Sequence, residues 1–159
     1  MNPLEMSGLD LLRAVVAGDL PRSAMAETVP MTFLDVDPGY VKLSARAGKQ
    51  HLNPPGGVHG GFAATVLDSA TGCAVHSTLE AGVGYGTIDL QVKMLRPVPI
   101  DQDLVAEARS VHISRNIATS EGTLKSSDGK LLATATATCF LKRGHIPALP
   151  IEPGASITR

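Results

Sequence analysis

His51-Leu52-Asn53-Pro54-Pro55-Gly56-Gly57-Val58-His59-Gly60-Gly61 runs directly into Phe62-Ala63-Ala64-Thr65-Val66-Leu67-Asp68-Ser69-Ala70-Thr71-Gly72-Cys73-Ala74. The first part belongs to a loop over 48–57, where paired prolines and glycines rule out regular structure. The second part opens a helix expected over 60–79. Ala63, Val66, Leu67, Ala70 and Ala74 recur at helical spacing and form one apolar stripe. The stripe is rich in alanine, so whatever covers it can come close. Asp68 projects about 140–200° from most of that stripe, at about 100° per residue. It therefore points away from the chain's own core. No Lys, Glu or Arg occurs between Gly60 and Leu79, and the neighbours of Asp68 are the small Thr65, Ser69, Gly72 and Cys73. A solvated helix face would carry long charged side chains, so this face is expected to be covered by a second subunit or a ligand.

After a glycine-rich break at 82–86, strand patterns are expected over 87–95, 103–113, 117–126 and 130–141. Ile88, Leu90, Val92 and Met94 alternate with Asp89, Gln91 and Lys93, the period of two of a half-buried strand. Asp128-Gly129 is a hairpin signal, and Thr134, Thr136 and Thr138 alternate with alanines in the last strand. Connections this short make antiparallel neighbours. Before the loop, residues 28–36 and 40–46 read as strands joined by the turn Asp37-Pro38-Gly39, with Pro30 delaying the first or placing it at an edge. A short helix is expected over 7–18, capped by Ser7 and ended by Gly18, packing outside the main domain and carrying no chemistry. Residues 144–159, with Pro147, Pro150 and Pro153, read as a loose tail. One long helix with an antiparallel sheet is an α+β pattern in which the sheet wraps the helix.

The 159 residues suit one domain, with 43% apolar and 18% charged residues. With no Trp, two Tyr and three Phe, the core must be aliphatic. A net charge of −1 argues against a nucleic-acid binder. Cys73 and Cys139 lack metal or disulfide spacing and fit a reducing, cytoplasmic setting as buried apolar residues. No secretory signal or membrane-length apolar segment is visible.

The chemistry concentrates at the quoted junction. The first N–H groups of a helix lack internal partners and carry partial positive charge. Glycine at Gly60 and Gly61 lets a ligand approach them. One donor aimed at a developing oxyanion is worth about 2.7–4 kcal/mol of barrier. Asp68 lies two turns further along, too far in to be a cap and poorly suited to a helix interior. A covered carboxylate without a partner is a functional candidate. Asn53 and His59 flank the loop as polar groups able to hold a carbonyl or a water.

Asn53, His59-Gly60-Gly61 and Asp68, ahead of the strand that begins at Thr87, resemble the motif of the hotdog-fold acyl-CoA thioesterases of the phenylacetate-pathway and 4-hydroxybenzoyl-CoA type. The likeness is strongest over 51–97, weaker over 101–141, and does not reach 1–25. It implies a hotdog fold and hydrolysis of an aryl- or fatty acyl-CoA to the free acid and coenzyme A. No cofactor or metal is implied beyond the coenzyme A thioester that serves as substrate. The expected partner is the chain itself, as a homodimer with shared active sites and further as a homotetramer, with no nucleic acid or membrane. In that arrangement the Gly60 N–H of one subunit polarises the thioester carbonyl. Asp68 of the other attacks it or activates a water. Asn53 holds the water or carbonyl, and His59 orients the thioester. Gly61 and Phe62 adjoin the substrate, together with residues 82–87. Arg115 and Asn116 resemble the segment lining the coenzyme A channel, with Arg96, Lys125 and Lys130 as weaker cations. The chain departs from the benzoyl-type relatives, which carry Glu with a Ser or Thr four positions later. Here the acid is Asp68 and the later position is Gly72, which sides with the Asp-containing branch and assigns the helper hydroxyl to Thr87. Alternatives are a hotdog hydratase or dehydratase, whose Asp-then-His order is absent, and a non-catalytic acyl-CoA-binding protein. A nucleophilic Cys73/His76 pair lacks an orienting acid.

Overall fold

Seventeen residues from Gly60 to His76 form the long helix α3, and a six-stranded antiparallel sheet curves around it. A computed structural model describes residues 2–144. The strands are β1 (Met31–Asp37), β2 (Tyr40–Arg46), β3 (Gly84–Met94), β4 (Asp103–Ile113), β5 (Ile117–Ser126) and β6 (Leu131–Lys142). Their order across the sheet is β1-β2-β4-β5-β6-β3. The helices α1 (Gly8–Ala17) and α2 (Met25–Thr28) precede them. This is the α+β hotdog arrangement expected.

Burial follows the predicted stripe. Val66, Leu67, Ala70 and Ala74 are fully buried, and Ala63 nearly so. On the sheet, Ala106, Ala108, Ala133 and Ala135 present small side chains to the helix. That permits a close approach: a Cβ on Gly122 of β5 would stand 3.1 Å from Thr71 Cγ2. Thr71 is itself buried and satisfies its hydroxyl on the Leu67 carbonyl at 2.7 Å. Fully burying one Leu- or Val-sized side chain contributes about 1.5–3 kcal/mol, so an aliphatic core of this kind holds the domain without large aromatics.

Several boundaries differ from the expectations. The helix ends at His76 rather than 79, where Ser77 and Thr78 turn their hydroxyls back onto the carbonyls of Ala74 and Val75. The loop over 48–57 contains a short 3-10 turn, Lys49–His51. β1 starts at Met31, because residues 25–28 form α2 and Pro30 withholds a ladder donor. β3 begins at Gly84, inside the expected glycine-rich break, since Gly84 and Gly86 pair with Lys142 and Phe140 of β6. Its alternation holds only in the middle. Leu90 and Val92 pack on the core, whereas Ile88 and Met94 are 63% and 56% exposed. The expected turn at Asp37-Pro38-Gly39 forms, with Gly39 at φ 71°, and so does the Asp128-Gly129 turn, with Gly129 at φ 85°. The tail expected at 144–159 falls, beyond Gly144, outside the described residues.

α1 is capped as expected: Ser7 Oγ accepts from Asp10 N at 3.2 Å, and Gly18 ends it in the left-handed region. Its first turn docks on the end of α3, where Gly8 N donates to the Leu79 carbonyl at 2.9 Å. Only glycine fits there, since a Cβ would fall 1.8 Å from the His76 carbonyl oxygen.

Candidate active site

The loop that delivers the chain to α3 is held from both ends. Gly48 N donates to His51 Nδ1 at 2.9 Å, which leaves the proton on Nε2 to be donated to the Thr28 carbonyl at 2.9 Å. The same ring packs on Phe62, with centroids 5.0 Å apart. The tight turn beyond it is closed by Asn53 N donating to the Gly57 carbonyl at 2.7 Å and by Gly57 N donating to Asn53 Oδ1 at 3.0 Å. Gly56, at φ 93°, supplies the left-handed residue this turn needs.

His59 is the N-cap of α3. Its Nδ1 accepts from Gly61 N at 2.8 Å, and its carbonyl accepts from Phe62 N at 2.9 Å. Gly60 thus keeps the free N–H of this first turn among the described residues. It faces a cleft of about 270 Å³, walled by Met94, Leu95 and Pro97. A Cβ at position 60 would lie 2.5 Å from Met94 Sδ, so the Met94 side chain packs directly on Gly60 and only glycine allows that approach. A free N–H at the positive end of a long helix is a ready anion donor.

Asp68 lies eight residues on, about 12 Å further along the helix axis at 1.5 Å per residue. Its Oδ1 is buried and accepts no hydrogen bond from any described residue. Leaving such a group unsatisfied costs about 1–3 kcal/mol, more when charged. It borders a cavity of about 580 Å³ shared with Ser69, Cys73, Tyr85 and Thr87. Thr87 sits at a register shift between β3 and β6, a device that re-aims a strand side chain. Tyr85 packs over Gly72, where a Cβ would meet its ring at 2.9 Å.

The groups around Asp68 are held neutral. Burial pushes the Cys73 thiol up to about 11, and the Asp68 charge adds to this. Burial likewise raises Tyr85 well above the ordinary phenol value, helped by the two thiols and Asp68. Cys139 is raised mainly by burial, opposed by its hydrogen bond with Thr87. His76, whose ring lies tilted against Tyr85 with centroids 5.2 Å apart, is lowered by burial. A thiol so protonated is a poor nucleophile, which counts against the Cys73/His76 pairing.

The expected site residues fall into three groups. Asn53, His59, Gly60 and Gly61 gather at the start of α3. Asp68 and Thr87 share the cavity at its middle. Arg115 and Asn116 border a third cleft of about 320 Å³ with Phe140, Lys142 and Arg143. Within the chain the first two groups stay apart, since about 12 Å of helix separates Gly60 from Asp68. Three expectations change in detail. Phe62 is 3% exposed and belongs to the core against His51, lining neither the Gly60 cleft nor the Asp68 cavity. Gly61 N and Asn53 Oδ1 are already engaged in shaping the loop. α1 was expected to carry no chemistry, yet Leu12 and Val15 wall the Asp68 cavity because Gly8 docks α1 beside it. Among cations, Arg96 is occupied by the Leu131 carbonyl at 2.7 Å. The sequence reading missed Tyr85 as an individual, although Gly72 was the signal for a large neighbour. It also missed Arg143, whose Nε donates to the Arg115 carbonyl at 2.9 Å.

Among the described residues, no group of three or more His, Cys, Asp or Glu stands close enough to hold a metal, and no helix is long and apolar enough to cross a membrane.

Comparison with known proteins agrees with this geometry. A family model described as the thioesterase superfamily matches residues 55–133, which spans Gly60, Asp68 and Thr87. Acyl-coenzyme A thioesterase 13 of Homo sapiens is 28% identical over 104 residues, covering 65% of this chain and 74% of that protein. A phenylacetic acid degradation-related protein of Ralstonia eutropha has a crystal structure that superposes with a TM-score of 0.75. It is 37% identical and covers 81% of this chain and 98% of its own. A thioesterase family protein of Silicibacter pomeroyi gives a TM-score of 0.74 at 26% identity, covering 84% of this chain and 99% of its own.

Proposed function

Because this chain belongs to the thioesterase superfamily, we propose that it hydrolyses the thioester of an aryl- or fatty acyl-CoA, releasing the free acid and coenzyme A. The observation that carries this reading is the buried, unpartnered Asp68 Oδ1 at the edge of a 580 Å³ cavity. A carboxylate kept unpaired among neutral thiols and a neutral phenol is available to react.

The active site is completed by a second copy of the chain. β3 pairs with β6 alone among the described residues, and its other edge is long and unpaired, with Ile88 and Met94 exposed. An open edge of this kind invites a partner strand. Joining two β3 strands brings the Gly60 N–H of one subunit towards Asp68 of the other, and two such dimers form a tetramer.

There the Gly60 N–H and the helix dipole polarise the thioester carbonyl and stabilise the oxyanion. Asp68 attacks the carbonyl carbon directly, giving an acyl-aspartyl anhydride that a water then hydrolyses to the free acid, or takes the proton of a water that attacks instead. In either course the water supplies the proton, and the Thr87 hydroxyl and the Asn53 amide hold that water. Collapse of the tetrahedral intermediate breaks the C–S bond, and the leaving sulfur takes up the proton as the coenzyme A thiol. His59, with its Nδ1 engaged, carries its proton on Nε2 and can donate to the substrate. Arg115 and Asn116, with Arg143, receive the coenzyme A phosphates. Two free thiols fit a reducing compartment, so we place the reaction in the cytoplasm.

The test is release of free thiol from a panel of aryl and fatty acyl-CoAs by the wild type and by Asp68→Asn. The variant should lose about 10²–10⁴-fold in turnover while remaining folded. A folded variant with wild-type turnover sinks the assignment of Asp68. A wild type that binds acyl-CoA but releases no thiol points to a binding protein instead.

A further inference from the structure

The geometry points to residues 12–26 as the wall of an acyl pocket that selects acyl groups bearing a hydrocarbon body. This rests on the thioesterase reading above and names the part of the chain that sets its substrate. The cavity beside Asp68 holds about 580 Å³, within the range of about 300–1,000 Å³ that encloses small organic ligands. An acetyl group would leave most of it empty. Asp68, Ser69 and Thr87 give the cavity a polar part. The rest of the lining is mostly apolar, with Leu12 and Val15 from α1, Ala26 from α2, and Met31 and Phe33 from β1, while Arg22 and Thr32, also in it, hydrogen-bond one another. The polar groups suit the thioester and the apolar lining the acyl body.

The family model matches residues 55–133 and so carries no pattern for α1, α2 or the first two strands, although solved relatives superpose over 81% and 84% of the chain. The wall is nevertheless fixed in place. Gly8 ties the start of α1 to Leu79, and His51 ties the end of α2, through the Thr28 carbonyl, to the loop that carries Asn53. Between them, Arg22 Nη1 donates to Thr32 Oγ1 at 3.3 Å, anchoring the linking segment on β1. Leu12 is buried by this packing, whereas Val15 is half-buried and borders the cavity, so its size can change without emptying the core.

The test is the ratio of kcat/KM between long and short acyl-CoAs in Val15→Trp and Val15→Ala, with the full chain. Each methylene shut out of an apolar pocket lowers kcat/KM by about tenfold or more. Val15→Trp should therefore cut dodecanoyl-CoA turnover at least about tenfold, while the shortest acyl-CoA that the wild type accepts changes little. Val15→Ala should move the preference towards bulkier groups. Equal losses across the panel, or no change in either folded variant, overturn the assignment while leaving thioester hydrolysis intact. A wild type inactive on every acyl-CoA overturns the hydrolase reading, and the wall with it.

Discussion

A Cβ atom at position 72 would stand 2.9 Å from Cε2 of Tyr85 and 3.3 Å from its hydroxyl oxygen. The bare Gly72 surface of α3 is thus the seat of the Tyr85 ring, and the phenol oxygen occupies the space a side chain at 72 would take. In the benzoyl-type thioesterases this chain resembles, that helix position carries a hydroxyl of its own. Here a hydroxyl reaches the same place from β3.

Two substitutions separate packing from chemistry at this contact. Gly72→Ala forces the ring to move, since a ring carbon cannot yield as a flexible chain end does. It should lower unfolding free energy by about 1–3 kcal/mol, read by denaturant titration. Tyr85→Phe keeps the ring and removes the oxygen. Its stability should hold while kcat falls by about tenfold, the equivalent of roughly one hydrogen bond, with KM unchanged. Wild-type kcat in Tyr85→Phe would reduce the residue to packing.

A site shared between subunits makes a sharper prediction. Gly60→Ala should fold, because the added methyl meets the movable end of Met94, yet it should lose about 10²–10³-fold in turnover by closing off the oxyanion donor. Asp68→Asn is inactive for the other half of the site. When the two are unfolded together and refolded as a mixture, mixed dimers contain one intact site, and activity should return to roughly a quarter of wild type for a two-fold symmetric pair. Failure of the mixture to exceed its components would place Gly60 and Asp68 in independent roles.

Gly8 offers a test of how α1 is held. With the His76 carbonyl oxygen 1.8 Å from a Cβ at this position, Gly8→Ala cannot be absorbed by a side-chain rotation. The first turn of α1 must shift, at a cost of about 1–3 kcal/mol. Amide exchange should show loss of protection in residues 8–17 while α3 keeps its own. Unchanged exchange in α1 would mean that the helix is anchored elsewhere.

Acid stability follows from His76. Burial lowers its pKa in the folded state below the ordinary value of 6.5, so the unfolded chain binds this proton first as pH falls. Its contribution is therefore flat above about pH 7 and lost progressively as pH drops through about 6.5 towards the lowered folded value. In His76→Gln, the difference in unfolding free energy from wild type should narrow between about pH 7 and 5. A constant difference across that range would show that His76 does not titrate with folding.

The helical stripe on α3, the Ser7 cap, the Gly18 stop, the turns at Gly39 and Gly129 and the four later strands were all legible in the sequence. Each is written in local periodicity or in a residue whose backbone preference is strong. The candidate site residues were singled out from the same local signals; of these, Asp68 stands unpartnered at a cavity, whereas Asn53 serves the loop turn. β3 was read less well. Its expected alternation fails at Ile88 and Met94 because those residues have no cover among the described residues, and periodicity cannot say whether a covering partner is present.

What the sequence determined by itself was the set of elements and the chemical inventory, because both depend on neighbours within a few residues. What only the tertiary structure decided was which groups meet. Tyr85 over Gly72, Leu12 and Val15 beside Asp68, and Phe62 withdrawn into the core all depend on contacts between segments tens of residues apart. Those contacts are set by the curvature of the sheet around α3 and by the docking of Gly8 on its end, neither of which leaves a local pattern.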